Sequence, residues 1–187
     1  PVESAWGVKI MSIGFFAQAN QAIVWRGPMV DSALKQMAND TAWGELDYML
    51  IDLPPGTGDI HLSLVQNFTL SGVVVVTTPH PIALADARKA VGMFKMDNIT
   101  VPILGVVENM SHFVPEDMPE KKYYIFGQDG AKELAEDLNI DLIGQIPLVT
   151  SIREAGDAGR PAVLQDATPQ AEAFMELVEQ VEKKVNK

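Results

Sequence analysis

Residues 47–59, which read DYMLIDLPPGTGD, decide the fold. Their apolar run ends in a single carboxylate, Asp52, and two prolines and two glycines follow before a helical pattern begins. A short apolar run bounded by turn residues predicts a buried strand of a parallel sheet. Open α/β sheets bind ligands just beyond the carboxyl ends of such strands, so we expect Asp52 at a ligand-binding edge.

The residue types after this strand suit a metal ion and a phosphate. Asp52 is placed to hold Mg²⁺ through water, and the turn Gly56-Thr57-Gly58 leaves backbone N–H groups free to approach a phosphate. This order is typical of a Walker B strand and the switch loop of a nucleoside triphosphatase. Asp59 precedes a helical pattern, which favours an N-cap. An Asp at a strand end also commonly caps a turn, so for Asp52 alone both interpretations stay open.

Composition and charge exclude several classes of function. The chain has 187 residues, 47% of them hydrophobic, and a net charge of -11, so we expect no nucleic-acid partner. It has no cysteine, which excludes disulfides, thiolate metal sites and a cysteine nucleophile within these residues. No apolar run approaches the roughly 20 residues that span a bilayer. No signal peptide is visible, so we expect a cytoplasmic location and no membrane partner.

Predicted strands and helices alternate along the chain. Strands are predicted over 8–14, 48–51, 72–78, 101–107 and 140–146, and helices over 28–39, 59–69, 82–96, 127–138, 151–156 and 167–185. This alternation predicts an α/β fold with a doubly wound, mostly parallel sheet and helices on both faces. We find no linker or internal repeat, so residues 1–187 are expected to form a single domain.

Two further strand ends carry chemistry that suits a nucleotide. Asn109 follows the 101–107 strand and Pro147 ends the 140–146 strand, so both are expected at the same edge as Asp52. An Asn amide can pair with the N6 and N7 edge of adenine, and the backbone after Pro147 can border the same base. Each residue alone also fits an ordinary turn cap or strand terminator. Only the shared edge favours nucleotide binding.

The phosphate cradle of such an enzyme is absent from these residues. No G-x-x-x-x-G-K-[ST] string occurs anywhere in the chain. Such a loop supplies the backbone N–H groups and the lysine that hold the phosphates. We therefore expect this chain by itself to bind nucleotide weakly or not at all.

Six short motifs carry a resemblance to a known family. They are residues 24–29 (VWRGPM), 52–59 (DLPPGTGD), 86–89 (DARK), 108–111 (ENMS), 125–127 (IFG) and 151–157 (SIREAGD). Together they closely resemble the Mrp/ApbC-type P-loop ATPases, relatives of MinD that carry iron–sulfur clusters. The resemblance implies a Walker A loop and a dimer-bridging lysine before Pro1, so the fold is expected to be incomplete at its N-terminus. The chain then corresponds to about the C-terminal two-thirds of such a protein.

The resemblance also implies roles for individual residues. Asp52 would be the Walker B acid for Mg²⁺, and residues 56–58 would be the switch that senses the γ-phosphate. Asn109 would read adenine, with the segment after Pro147 beside it. For the complete protein the resemblance implies ATP and Mg²⁺ as cofactors, an ATPase activity, a homodimer, and iron–sulfur client or scaffold proteins as partners.

The chain departs from the family pattern in one region. Many members carry Cys-x-x-Cys shortly after the Asn-Met-Ser stretch, and the pairs of two subunits hold a bridging [4Fe–4S] cluster. Here residues 112–119 read HFVPEDMP, and carboxylates with one solvated His112 are poor substitutes for thiolates. Three interpretations therefore stay open: an ATP-dependent iron–sulfur cluster carrier, a MinD/ParA-like nucleotide-switched adaptor without a cluster, and a fragment with no activity.

Overall fold

The structure, a computed structural model, describes residues 1–16, 27–99, 101–115, 117–118 and 120–186. It divides into two compact units, residues 1–69 and residues 70–187, which are described separately below. That residues 1–187 form a single domain remains a prediction from the sequence. Arg26, for which the sequence suggests an anion contact or an ordinary surface position, lies outside the described residues.

The described part of the first unit contains two short strands and two α-helices. They are β1 (Val2–Glu3), β2 (Lys9–Ile10), α1 (Gly27–Asn39) and α2 (Asp59–Asn67). The two strands pair antiparallel, and a 3-10 turn follows at Ile13–Phe16. The strand predicted over 8–14 is therefore mostly wrong, while the two predicted helices are found at nearly their expected bounds.

The strand predicted over 48–51 does not form. Residues 45–58 contain no helix or strand, and Leu50 is 92% exposed. An isolated apolar run becomes a strand only when a neighbouring strand completes its hydrogen bonds and covers its side chains. Within the described residues, no strand pairs with this run, so the local pattern alone leads to the wrong prediction here.

The second unit is built on a parallel sheet. Its elements are β3 (Val73–Thr77), α3 (Pro81–Phe94), β4 (Ile103–Phe113), α4 (Gly130–Leu138), β5 (Leu142–Leu148), α5 (Thr150–Asp157) and α6 (Pro169–Val185). The sheet order is β3-β4-β5, and both pairings are parallel. Each pair of strands is joined through a helix. This arrangement confirms the α/β class with a mostly parallel sheet.

Helices cover both faces of this sheet, as predicted. One face packs against α3 and α4 around the buried residues Val75, Ala87, Val91, Val106, Ala131 and Leu134. The other face buries Val107, Ile143 and Ile146 against residues of α5 and α6, among them Ile152, Phe174, Leu177 and Val181. Val178 of α6 is 46% exposed and lies outside this buried set.

The ends of β4 and β5 lie farther along the chain than expected. β4 extends past residue 107 to Phe113, which pairs with Tyr123 in an isolated antiparallel bridge. Pro147 lies inside β5 rather than at its end, so the prediction of a strand terminator is wrong. Residues 108–113 therefore belong to the strand rather than follow it.

Gly105 offers a test of the packing inside the sheet. Its φ is +156°, and an added Cβ would lie 2.5 Å from Ile143 Cγ2 and 2.7 Å from the backbone oxygen of Asp141. We expect Gly105→Ala to lower the free energy of unfolding by about 1–3 kcal/mol through overpacking. Gly92→Ala is the matched control, because nothing lies within 4 Å of that position in α3. It should raise stability by about 0.5–1 kcal/mol. Urea denaturation measures both, and equal midpoints for the two variants would contradict the packing described here.

Candidate functional site

The predicted switch loop in the first unit is open to solvent. The side chains of Asp52 and Thr57 are exposed, and Gly56 has a φ of +104°, which favours glycine. Gly58, with extended backbone, is the N-cap of α2, so the prediction that Asp59 is the cap is wrong. Asp59 is the first helical residue, where a carboxylate is stabilised by the positive end of the helix dipole.

Helix α2, which follows this loop, is tied to α1 within the same unit. The Ser63 hydroxyl donates a hydrogen bond to the Asp31 carboxylate, which also forms an ion pair of 2.9 Å with Lys35. His61 lies buried on the same helix, and its Nδ1 has no hydrogen-bond partner within the described part of the chain. The helix therefore has a fixed support on α1, whereas the loop before it is exposed.

Asn109 and Pro147 lie next to each other in the second unit. Asn109 of β4 is the register partner of Ile146 of β5, which directly precedes Pro147. The structure thus brings two of the three predicted strand-end residues together. Asp52 belongs to the first unit, and its place at the same edge stays a prediction.

Asn109 begins an irregular turn in β4. Met110 has a φ of 56°, which is uncommon for a residue other than glycine, and the β4–β5 register shifts between Asn109 and Phe113. The Met110 N–H donates to Asn109 Oδ1 at 3.0 Å, and Ser111 Oγ donates to the Ile146 oxygen at 3.1 Å. Bulges of this kind redirect side chains and are frequent beside active sites. The turn-cap role considered for Asn109 is thus present, while its amide NH₂ and the second lone pair of its oxygen remain chemically suited to a base.

Sequence reasoning missed the neighbouring carboxylate, Glu108. Its side chain is only 1% exposed, although Glu is rarely buried. One carboxylate oxygen accepts from the Ala131 N–H at 2.8 Å, and the other accepts from Gln145 Nε2 at 2.9 Å. The sequence offered one signal for this buried carboxylate: Glu108 follows directly on the apolar run of β4, without a turn residue between them.

His112 is half-buried rather than solvated, so that prediction is wrong. Its Nδ1 lies 3.0 Å from Ser111 Oγ. Desolvation by burial and the positive charge of Lys122 lower the pKa of His112, and the negative charge of Glu108 opposes them.

The residues present fit Mg²⁺ better than an iron–sulfur cluster. Mg²⁺ is usually held by one or two carboxylates together with water and substrate phosphates, which the single exposed Asp52 can satisfy. The described ranges contain no group of three or more His, Asp or Glu side chains placed to hold a metal ion. The whole sequence has no cysteine, so residues 1–187 offer no thiolate to a [4Fe–4S] cluster. In the described part of the chain, no helix is long and apolar enough to cross a membrane.

The lowered pKa of His112 predicts a pH dependence of stability. Below the unfolded value of 6.5 the unfolded chain binds this proton more readily than the folded protein. The free energy of unfolding should therefore fall as the pH drops from about 7.5 through 6.5 towards the folded pKa. His112→Gln should reduce this fall, as measured by urea denaturation at several pH values. Identical pH profiles for His112→Gln and the wild type would contradict the assignment.

Sequence comparison finds relatives across nearly the whole chain. An iron–sulfur cluster carrier protein of Synechocystis is 41% identical over 96% of this chain and 51% of its own length. An iron–sulfur cluster carrier protein of Deinococcus radiodurans is 51% identical over 88% of this chain and 45% of its own length. The mouse iron–sulfur cluster transfer protein NUBPL is 45% identical over 94% of this chain and 54% of its own length. The chain thus spans about half the length of these curated relatives.

Solved structures and a family model agree with these relatives. A nucleotide-binding protein of Archaeoglobus fulgidus in complex with ADP has a TM-score of 0.72 and 34% identity, over 93% of this chain and 65% of that one. The cell division ATPase MinD of Pyrococcus furiosus shares the fold, with a TM-score of 0.60 and 24% identity over 87% of this chain and 63% of that one. The ParA model, described as NUBPL iron-transfer P-loop NTPase, matches residues 1–182. The chain therefore belongs to the NUBPL-type iron-transfer family of P-loop NTPases.

Proposed function

We propose that this chain is the Mg²⁺-binding and base-contacting part of an ATP-dependent iron–sulfur cluster carrier that works as a homodimer. The observation that supports the proposal is the irregular turn of β4, which begins at Asn109, the register partner of the residue before Pro147, in a chain of this family. Parallel α/β sheets bind nucleotides at this kind of edge. Relatives that are 41–51% identical carry the name iron–sulfur cluster carrier protein, which supports an iron–sulfur cluster as the proposed cargo.

The chemistry proposed is transfer of the γ-phosphoryl group of ATP to water. Such reactions depend mostly on positioning and on stabilising charge, which a bound Mg²⁺ supplies at the phosphates. Asp52 would hold the ion through water. The backbone N–H groups of residues 56–58 would contact the γ-phosphate, since Gly56 and Gly58 have no neighbouring atoms within 4 Å of an added Cβ and leave that approach open. Asn109 and the backbone after Pro147 would hold adenine.

The cargo and the partners follow from the same proposal. ATP binding would close the dimer through the switch loop and hydrolysis would reopen it, so that iron–sulfur client or scaffold proteins meet two different states. Because residues 1–187 contain no cysteine, the thiolates for a cluster would have to come from outside them. The cytoplasmic location stays a prediction from the sequence.

One observation favours a second candidate, a nucleotide-switched adaptor without a cluster. The absence of cysteine removes the ligands that a cluster prefers, while the nucleotide-binding features are unaffected. In this alternative the dimer state recruits a protein partner, and no iron is carried. The two functions differ in whether the purified protein holds iron and sulfide.

Asp52→Asn tests the nucleotide site in the natural gene product. Loss of the charge should weaken Mg²⁺-ATP binding at least roughly tenfold, since hydrogen bonds to charged groups contribute on the order of 1.5–3 kcal/mol. Binding of ATP without Mg²⁺ should change little. Asp47→Asn is the matched control, because Asp47 is an exposed carboxylate of the same segment. Calorimetric titration of the wild type and the two variants, each with and without Mg²⁺, measures the six affinities, and equal effects of the two variants would refute the Mg²⁺ role of Asp52.

Anaerobic reconstitution distinguishes the carrier from the adaptor. The natural gene product, supplied with iron and sulfide, should retain both in equal amounts after desalting, with the absorbance of an iron–sulfur cluster. A preparation restricted to residues 1–187 should retain neither, because it has no thiolate. A natural gene product that stays free of iron, yet recruits a protein partner only with ATP, would replace the carrier by the adaptor.

A further inference from the structure

Among the described residues, Glu108 is the charged side chain with the smallest exposed fraction. It lies on β4, the middle strand of the sheet, and has three neighbours. Its register partners are Thr77 of β3 and Gln145 of β5. Its carboxylate accepts from Gln145 Nε2 at 2.9 Å and from the Ala131 N–H at 2.8 Å. A buried carboxylate is costly unless its oxygens are hydrogen-bonded, and here each oxygen has a donor.

The second of these bonds supplies what the start of α4 lacks. The N-cap residue Asp129 is in the left-handed conformation, and its side chain makes no capping hydrogen bond. Glu108 takes over this role from another element, since its carboxylate bonds the N–H of the second helical residue. The helix start also packs closely against Pro79, because an added Cβ at Gly130 would lie 2.7 Å from the Pro79 oxygen. The carboxylate thus bonds a helix start that has a second, independent contact.

The strained turn of β4 lies between two side-chain attachments. Glu108, immediately before Asn109, bonds α4 and Gln145, and Ser111, immediately after Met110, bonds the Ile146 oxygen. A left-handed residue other than glycine costs free energy and persists only where its surroundings hold it. The two attachments therefore fix the backbone from which the Asn109 amide projects.

We propose that Glu108 is a positioning residue for the nucleotide base. By anchoring β4 to α4 and to β5, its buried carboxylate holds the Met110 turn and with it the Asn109 amide in the orientation that reads adenine. The inference rests on the proposed nucleotide binding and adds a residue that never touches the nucleotide. A role in stability alone would leave the choice between bases unchanged, which makes base preference the decisive measurement.

The test compares the affinities of the natural gene product for ATP and GTP by calorimetric titration. A well-placed Asn109 amide that forms two hydrogen bonds with adenine should give the wild type a preference for ATP over GTP of about tenfold. Glu108→Ala should move this ratio towards one, because the Met110 turn loses one of its two attachments. Glu108→Gln should retain most of the preference, since its amide oxygen still accepts from Ala131 and the Gln145 amide can rotate to match.

Leu134→Ala is the control for stability. Leu134 is buried on α4 in the hydrophobic cluster that contains Val106, and its apolar side chain makes no hydrogen bond to replace. Its truncation should therefore lower the urea midpoint while the ATP preference stays at the wild-type ratio. If Glu108→Ala does not fold, Gln145→Leu replaces it, because Gln145 is exposed and its loss removes only one of the two bonds. It should shift the ratio in the same direction by less.

The outcomes separate the two proposals. A wild type that binds neither nucleotide refutes the proposed function and, with it, a role of Glu108 in base recognition. A wild type that prefers ATP, with the same preference in folded Glu108→Ala or in Gln145→Leu, refutes only the positioning role. A shift of the ratio in Leu134→Ala as large as in Glu108→Ala would also refute it, because destabilisation would then explain both.

Discussion

Backbone pairing on both edges of β4 is the constraint on which the second unit depends. β4 is hydrogen-bonded in parallel to β3 on one side and to β5 on the other, and helices cover both faces. A strand in this position must satisfy every buried N–H and C=O within the sheet, which favours a continuous apolar run. Val106 and Val107 are accordingly almost fully buried on opposite faces. The same pairing with β3 and β5 positions Glu108 and Asn109, the polar residues that follow.

The same constraint explains where sequence reasoning failed. The run 48–51 and the run 73–76 are both short, apolar and bounded by turn residues, so a local pattern cannot distinguish them. The second run pairs with β4 and forms β3, whereas the first has no pairing strand among the described residues and remains irregular. Among the strands that the structure describes, even β3 is paired on one side only, and its Val76 is 62% exposed. Strand formation therefore depends on neighbours that the local sequence does not reveal.

The candidate site shows a similar division between what was predictable and what was not. That Asn109 and Pro147 would lie together followed from the sequence, because the ends of parallel strands meet at one edge. The buried Glu108 and the turn at Met110 did not follow, since both depend on partners distant in sequence. Glu108 bonds Ala131 and Gln145, 23 and 37 residues away, and Ser111 beside the turn bonds Ile146, 35 residues away. Polar groups inside a sheet are decided by tertiary partners, which a single sequence does not display. Helix bounds, which depend on local periodicity and caps, were accordingly predicted better than these contacts.

The two sets of residues proposed to contact a nucleotide, one in each unit, differ in how firmly their own unit holds them. Asn109 lies in a turn fixed on both sides, by Glu108 and by Ser111, within a buried sheet. The loop of residues 56–58 is exposed, and its glycines have no neighbours that would constrain an added side chain. A rigid base contact can hold the adenosine part in every nucleotide state, whereas an unconstrained loop takes its conformation from whichever phosphate is present. A switch needs a differential contact of this kind, because a ligand bound equally in both states shifts no equilibrium.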